Sequence, residues 1–157
     1  MLIVNAKGNI SLDETIKKSI SFGRLGLMRL SEIKEKEKYT GLPLKAKNNL
    51  AVCITFCLWP SAEDRKAALE FSEENYQIAQ NNTHTESPKY IYEATRALVL
   101  LRFSKNSGAA EKIHNELLNQ VIEDGIDKSK VPKKAREEIS ENKKFIEKII
   151  KLKPPSV

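Results

Sequence analysis

Long hydrophobic runs are scarce in this sequence. The longest, Leu50 to Trp59, is ten residues, and a membrane-spanning helix needs about 20. Met1-Leu2-Ile3-Val4 gives way to Asn5, Lys7 and Gly8 too soon to form a signal-peptide core. The expectation is a cytoplasmic chain with no membrane partner. Cysteine is scarce as well: only Cys53 and Cys57, both inside the apolar run, which excludes a disulfide framework and reads as core. The two are one helical turn apart, but a zinc site needs about four ligands and no acidic cluster accompanies them. No metal site is expected.

Histidine is equally sparse. His84 sits in a polar loop and His114 on a helix, where it reads as a surface or half-buried residue. Neither stands beside a nucleophile or carboxylate in a way that suggests a general base. Glu73–Glu74 and Glu137–Glu138 are adjacent pairs, which diverge around a helix rather than forming a dyad. There is no phosphate-binding G-x-x-x-x-G-K-[ST], no G-x-G-x-x-G and no G-x-S-x-G. A non-catalytic protein without a cofactor is expected. The remaining enzymatic alternative is a small enzyme or toxin whose site forms only in three dimensions.

What the chain does have is helix-forming residues and charge. Its 157 residues suit one domain, and 40% hydrophobic with 31% charged is a globular balance. The net charge of +6 is uneven. Residues 1–50 carry ten basic and five acidic groups, residues 51–126 seven and eleven, and residues 127–157 ten and five. The chain is therefore basic at both ends and acidic in the middle.

Apolar spacing predicts an all-α fold of about six antiparallel helices in stacked hairpins, with a short extended piece at Leu2–Val4. Ser11 and Glu14 form a capping box that would open the first helix. Ile16, Ile20, Leu27, Leu30 and Ile33 follow on one face, with a solvated end formed by Glu32 and residues 34–38. Gly23 and Gly26 lie inside this helix, where each either admits a close neighbour or marks a bend. A second helix is expected from about Leu44 to Trp59, stopped by Pro60, and a third, started by Ser61 and Asp64, from about Ala62 to Gln80. The fourth should run from Pro88, capped by Ser87, to Phe103. The fifth should run from about Ala109 to Glu123 with Ile113, Leu117, Val121 and Ile122 in a stripe, ended by Gly125. The sixth begins near Pro132 and ends before Pro154-Pro155. The expected organisation is a single domain over 1–157: an N-terminal helix over 1–42, two helix pairs over 43–124, and a C-terminal capping helix over 131–153. The turn at Gly125–Lys130 is its weakest joint.

The two helix pairs match each other in pattern. Lys45 to Ala51 aligns with Tyr92 to Leu98, and each continues apolar, to Phe56 and Phe103. With Leu50-Ala51 in the first helix, Ala67 and then Phe71 in the second, and Ser87-Pro88 before the next pair, the segment from Leu44 to Glu123 resembles the tetratricopeptide-repeat family. It departs from that pattern in the loop holding Pro60, in the 81–87 loop, and in the order Ala97-Leu98. The resemblance implies a short helical solenoid that binds a protein or peptide on the first helices of the pairs. The implied contacts are Lys45, Asn48, Asn49, Tyr92 and Arg96, with Arg102 beyond them. Asn49 lies near a position where the family often places an asparagine that binds the peptide backbone. Two pairs give a short concave face, which self-association as a homo-oligomer would extend.

The alternative partner is nucleic acid, held through phosphate contacts from Lys130, Lys133, Lys134 and Arg136. Against it, the lysines are interspersed with Glu137, Glu138, Glu141 and Glu147, few aromatics accompany them, and only six of the 27 basic residues are arginine.

Overall fold

A computed structural model describes residues 8–33, 41–81, 85 and 87–152. Among the described residues it is all-α, with six helices: α1 (Gly8–Glu32), α2 (Leu42–Phe56), α3 (Ala62–Asn81), α4 (Lys89–Phe103), α5 (Ser107–Leu118) and α6 (Lys133–Ile150). The expected extended piece at 2–4, the solvated end at 34–38, His84 and Pro154-Pro155 lie outside the described residues. No helix among the described residues is long and apolar enough to cross a membrane.

Each helix from α1 to α5 packs on the next, α6 packs on α5, and α4 also packs on α2 and α6. Side-chain contacts fix the directions. Asp13, near the start of α1, meets Leu58, just past the end of α2. Lys47, early in α2, meets Glu74, late in α3. Gln80 at the end of α3 meets Glu93 early in α4. These sequential helices are therefore antiparallel. Arg102, at the end of α4, reaches carbonyls at the end of α2, so those two run parallel. The arrangement is a layer of α2, α4 and α6 with α3 and α5 behind it, and α1 closing one end.

Three apolar clusters follow this stacking. Ile20, Leu50, Ala51, Ile54, Ala68 and Val99 join α1 to α4 through α2. Leu98, Ile146 and Ile149 join α4 to α6, with Phe56 stacked on Phe145 at 5.4 Å. Leu117, Val131 and Ile139 seal α5 to α6.

The helix boundaries differ from the expected ones where partners elsewhere in the fold intervene. α1 begins at Gly8, so Ser11 and Glu14 lie within the helix rather than at its start. α2 ends at Phe56, three residues before Trp59, because Cys57 is extended. Its terminal carbonyls are taken by Arg102, which donates to Thr55, Cys57 and Leu58. Hydrogen bonds from a charged donor to such carbonyls contribute about 1.5–3 kcal/mol, which replaces the missing helical bonds. Asp13 accepts the Leu58 amide at 2.9 Å from the other side. The Ser61 cap of α3 stands as expected, its Oγ accepting the Asp64 amide at 3.0 Å. At α4, Pro88 itself occupies the cap position, with no side chain capping the helix, so Ser87 does not serve there.

The largest difference follows α5. The helix stops at Leu118, and Ile122–Glu123 (β1) pairs with Ile126–Asp127 (β2) in a small antiparallel hairpin. Asp124 and Gly125 both have positive φ, 51° and 76°. That is the geometry of a two-residue hairpin turn, which favours Asp-Gly. Gly125 thus takes its left-handed conformation in a β-turn, not at a helix end, and Val121 and Ile122 leave the helical stripe. The turn from β2 into α6 is braced rather than weak: Arg136 donates to Asp127 and to the Val131 carbonyl, both at 2.6 Å.

His114 is fully buried, not at the surface. The buried stripe of α5 is Ala110, His114 and Leu117, on a helix packed against α4 and α6. Neither ring nitrogen makes a well-formed hydrogen bond among the described residues, although the Ala110 backbone gives weak support. Burial, aided by nearby Lys143, pushes the imidazole down to about 4.

A candidate binding trough along the second helix

The accessible face of α2 is built by residues four, three and four apart: Lys45, Asn49, Val52 and Phe56. That spacing holds one face of a helix over about 16 Å. α2 cannot rotate to hide this face, because its opposite side carries Leu50, Ala51 and Ile54 into the core. Its end is clamped between Arg102 and Asp13. Burial alone would raise the Asp13 carboxyl, but the Lys17 ammonium 2.8 Å away and the Leu58 amide outweigh it and hold the group below its ordinary value. Burial lowers Arg102 to about 10, which leaves it charged at neutral pH. The clamp is therefore ionised on both sides.

On one flank of this face, α1 and α2 enclose a groove of about 450 Å³. Its α2 wall is Ala46, Asn49, Leu50 and Cys53, and its α1 wall includes Gly23, Gly26, Arg29 and Leu30. The two glycines do different things in an unbroken helix. A Cβ on Gly23 would stand 3.2 Å from Leu50 Cδ1, so Gly23 allows the two helices to approach. A Cβ on Gly26 would meet nothing within 4 Å, so Gly26 leaves the groove open. On the other flank, a second pocket of about 320 Å³ is lined by Ile16, Val52, Cys53, Phe56, Glu141, Asn142 and Phe145. Cys53 lines both. The two pockets therefore adjoin at Cys53 in a trough along α2, the first walled by α1 and the second by Ile16 of α1 and by α6.

The lining is apolar with a few hydrogen-bonding groups: Ser19, Arg29 and Asn49 at one end, Glu141 and Asn142 at the other. Burial pushes the Cys53 thiol up, so it is protonated at neutral pH and a poor nucleophile. No group of three or more potential metal ligands exists among the described residues. The trough supplies contact surface and directional polar groups, not an acid–base pair.

The residues singled out from the sequence separate in space. Asn49 lines the trough and Lys45 lies one turn before it on the same face. Asn48 is buried, turned about 100° from Asn49 around α2. Tyr92 is only 2% exposed, because α4 is the central helix and is covered on most of its circumference. Arg96 is half-buried between helices, its Nε 2.6 Å from Glu73 and its guanidinium 4.3 Å above the Tyr76 ring. Glu73 is held below its usual value: burial opposes this, and bonds from Gln77 and Arg96 outweigh it.

The basic segment divides in the same way. Lys130 lies 2.9 Å from the Glu93 carboxylate, and Arg136 is buried on Asp127, whose carboxyl the guanidinium and Ser129 hold well below the usual range. Lys133 and Lys134 are exposed.

Val52, Cys53, Phe56 and the α1 and α6 walls are not candidates that the sequence singles out. The period from Lys45 to Phe56 carries the signal, but an apolar run reads as core when the packing partner of each face is unknown. Comparison with protein-family models, with curated proteins and with solved structures finds no match to this chain.

Proposed function

We propose that this protein is a non-catalytic binding module that holds a peptide or short helix of a protein partner in the α2 trough. The observation that carries the reading is the pair of adjoining, mostly apolar pockets that share Cys53 on a fixed helix, each with polar groups in its lining. Binding sites combine these two features, apolar area for affinity and a few polar groups for orientation. A length of about three helical turns suits an amphipathic helix laid in a groove. The parallel layer of first helices supports the resemblance to tetratricopeptide repeats, and Asn49 keeps its place in that reading. Tyr92 and Arg96 act instead as packing between α3 and α4. The nucleic-acid reading receives less support, since two of its four proposed phosphate contacts are engaged internally.

The test uses the full chain to select ligands from a displayed peptide library. A selected peptide should slow alkylation of Cys53, and Asn49→Trp should weaken it about tenfold or more by filling the trough. Lys66→Ala, on the outer surface of α3, should leave binding unchanged. Ligands that bind Asn49→Trp as well as the wild type, and leave Cys53 equally reactive, would remove the trough from consideration.

A further inference from the structure

α1 carries a second apolar stripe that faces away from the core. Phe22 is 72% exposed, Leu25 47% and Met28 50%. At 100° per residue these lie on the side opposite Ile16, Ile20 and Leu27, which pack on α2. The same outer face continues as Glu14, Lys18 and Ser21 before the stripe and Glu32 after it, all exposed. Lys18, Phe22, Leu25, Met28 and Glu32 follow at steps of four, three, three and four, which keeps them on one side of the helix over about four turns. The trough-lining residues Ser19, Gly23, Gly26 and Leu30 lie on a different side of the helix, and Arg29, at the edge between the two, bonds Glu32 at 3.1 Å.

We infer that this face pairs with a second copy of itself, α1 against α1, antiparallel about a two-fold axis at Leu25. The charge pattern selects the occupant and the direction. Antiparallel pairing centred on Leu25 sets Leu25 against the partner's Leu25, Phe22 against the partner's Met28, and Lys18 against the partner's Glu32. The apolar residues meet in the middle and opposite charges meet on either side. Parallel pairing would set Lys18 against the partner's Lys18 and Glu32 against the partner's Glu32. A two-fold contact of this kind is self-complementary and closed. α1 is about 37 Å long, and one helix pair buries less than a standard interface, so the dimer is weak.

Sedimentation equilibrium of the full chain tests the proposal. The mass should rise from 17.8 kDa toward twice that value as concentration increases from about 1 μM to about 1 mM. Leu25→Glu, which sets two carboxylates face to face, should weaken the dimer about a hundredfold or more with an unchanged helical circular-dichroism spectrum. Lys18→Glu and Glu32→Lys should each weaken it about tenfold at low salt, since the two-fold repeats each contact twice, and the double variant should restore it. Because positions 18 and 32 are exposed, these variants decide the question even where Leu25→Glu fails to fold. A mass that stays at the monomer, a dimer indifferent to Leu25→Glu, or a double variant no tighter than the single ones would each overturn the antiparallel pairing. Peptide binding in the trough is compared on Lys18→Glu and Leu25→Glu, because Glu32 holds the trough residue Arg29.

Discussion

α1 and α6 close the two ends of the stack with helices of opposite design. α6 packs on both α4 and α5 and buries a single stripe, Arg136, Ile139, Ile146 and Ile149. Its other faces are mainly lysines and glutamates, and Lys143 spans to Glu111 of α5 at 3.1 Å. α1 is longer and packs on α2. It buries Asp13 and Ile20 toward the core yet leaves Phe22, Leu25 and Met28 outside. Stacked helices need a terminal helix with a polar outer face to stop further stacking. Along most of its length α6 meets that need, with Ile150 exposed only at its last residue, whereas α1 leaves its apolar stripe open at mid-helix. The two terminal helices therefore differ in where they leave apolar surface uncovered.

The strongest contrast between the two ends should lie in what each side chain contributes to stability. Ile146 is fully buried against Leu98 and Ile149, so Ile146→Ala should cost about 2–5 kcal/mol. Met28→Ala, in dilute solution where the chain is monomeric, should change stability by less than about 0.5 kcal/mol. Urea denaturation of both variants at low micromolar concentration measures the contrast. Equal losses would mean that the outer face of α1 is covered within the monomer.

Acid should distinguish the ends next. His114 lies folded at about 4 against an ordinary 6.5, so between those values the unfolded chain binds the extra proton. Stability from this group is fully present above pH 6.5 and is lost as the pH falls toward 4. The loss is roughly 3 kcal/mol. It should appear at the α5–α6 end, as amide exchange rising in those helices before α1 and α2. His114→Leu should flatten the pH profile across this window. A wild-type profile that is already flat from about pH 7 to 4 would show that the buried imidazole is solvated.

The sequence makes much of the fold legible and the site only in part. Six helices, their order and their antiparallel packing follow from apolar spacing, because that spacing records which face is buried. Helix ends follow less well. Phe56 ends α2 because Arg102 and Asp13, distant in sequence, satisfy its last carbonyls and the Leu58 amide, and no local pattern reports that. The hairpin at Asp124-Gly125 is locally readable, since Asp-Gly between isoleucines is a turn signal in its own right. A continuing helical stripe through Val121 competes with it. In the trough, Asn49 is readable as an exposed polar residue on a first helix. Tyr92 is not separable from it by pattern alone, since burial of α4 depends on α2, α3, α5 and α6 all covering it. The burial of His114 is hidden for the same reason: its stripe is covered from two sides by helices that its own spacing cannot reveal.

The finest distinction concerns how tightly α1 is seated. Gly to Ala in a helix interior gains about 1 kcal/mol where there is room for the methyl group. Gly26 has that room, with nothing within 4 Å of where its Cβ would stand, whereas the same atom on Gly23 would press on Leu50 Cδ1 at 3.2 Å. Gly26→Ala should therefore stabilise the protein by about 1 kcal/mol, while Gly23→Ala should gain nothing or lose, since Leu50 is core and must yield. Thermal or urea unfolding of the two variants side by side reads the difference directly. An equal gain at both positions would mean that α1 rides loosely on α2, and the contrast between a sealed α6 and a seated but uncovered α1 would have to be redrawn as one between a docked helix and a detachable one. The methyl group of Gly26→Ala also narrows the trough, so a gain in stability accompanied by weaker peptide binding would link the open glycine to the binding face and not to the packing of the fold.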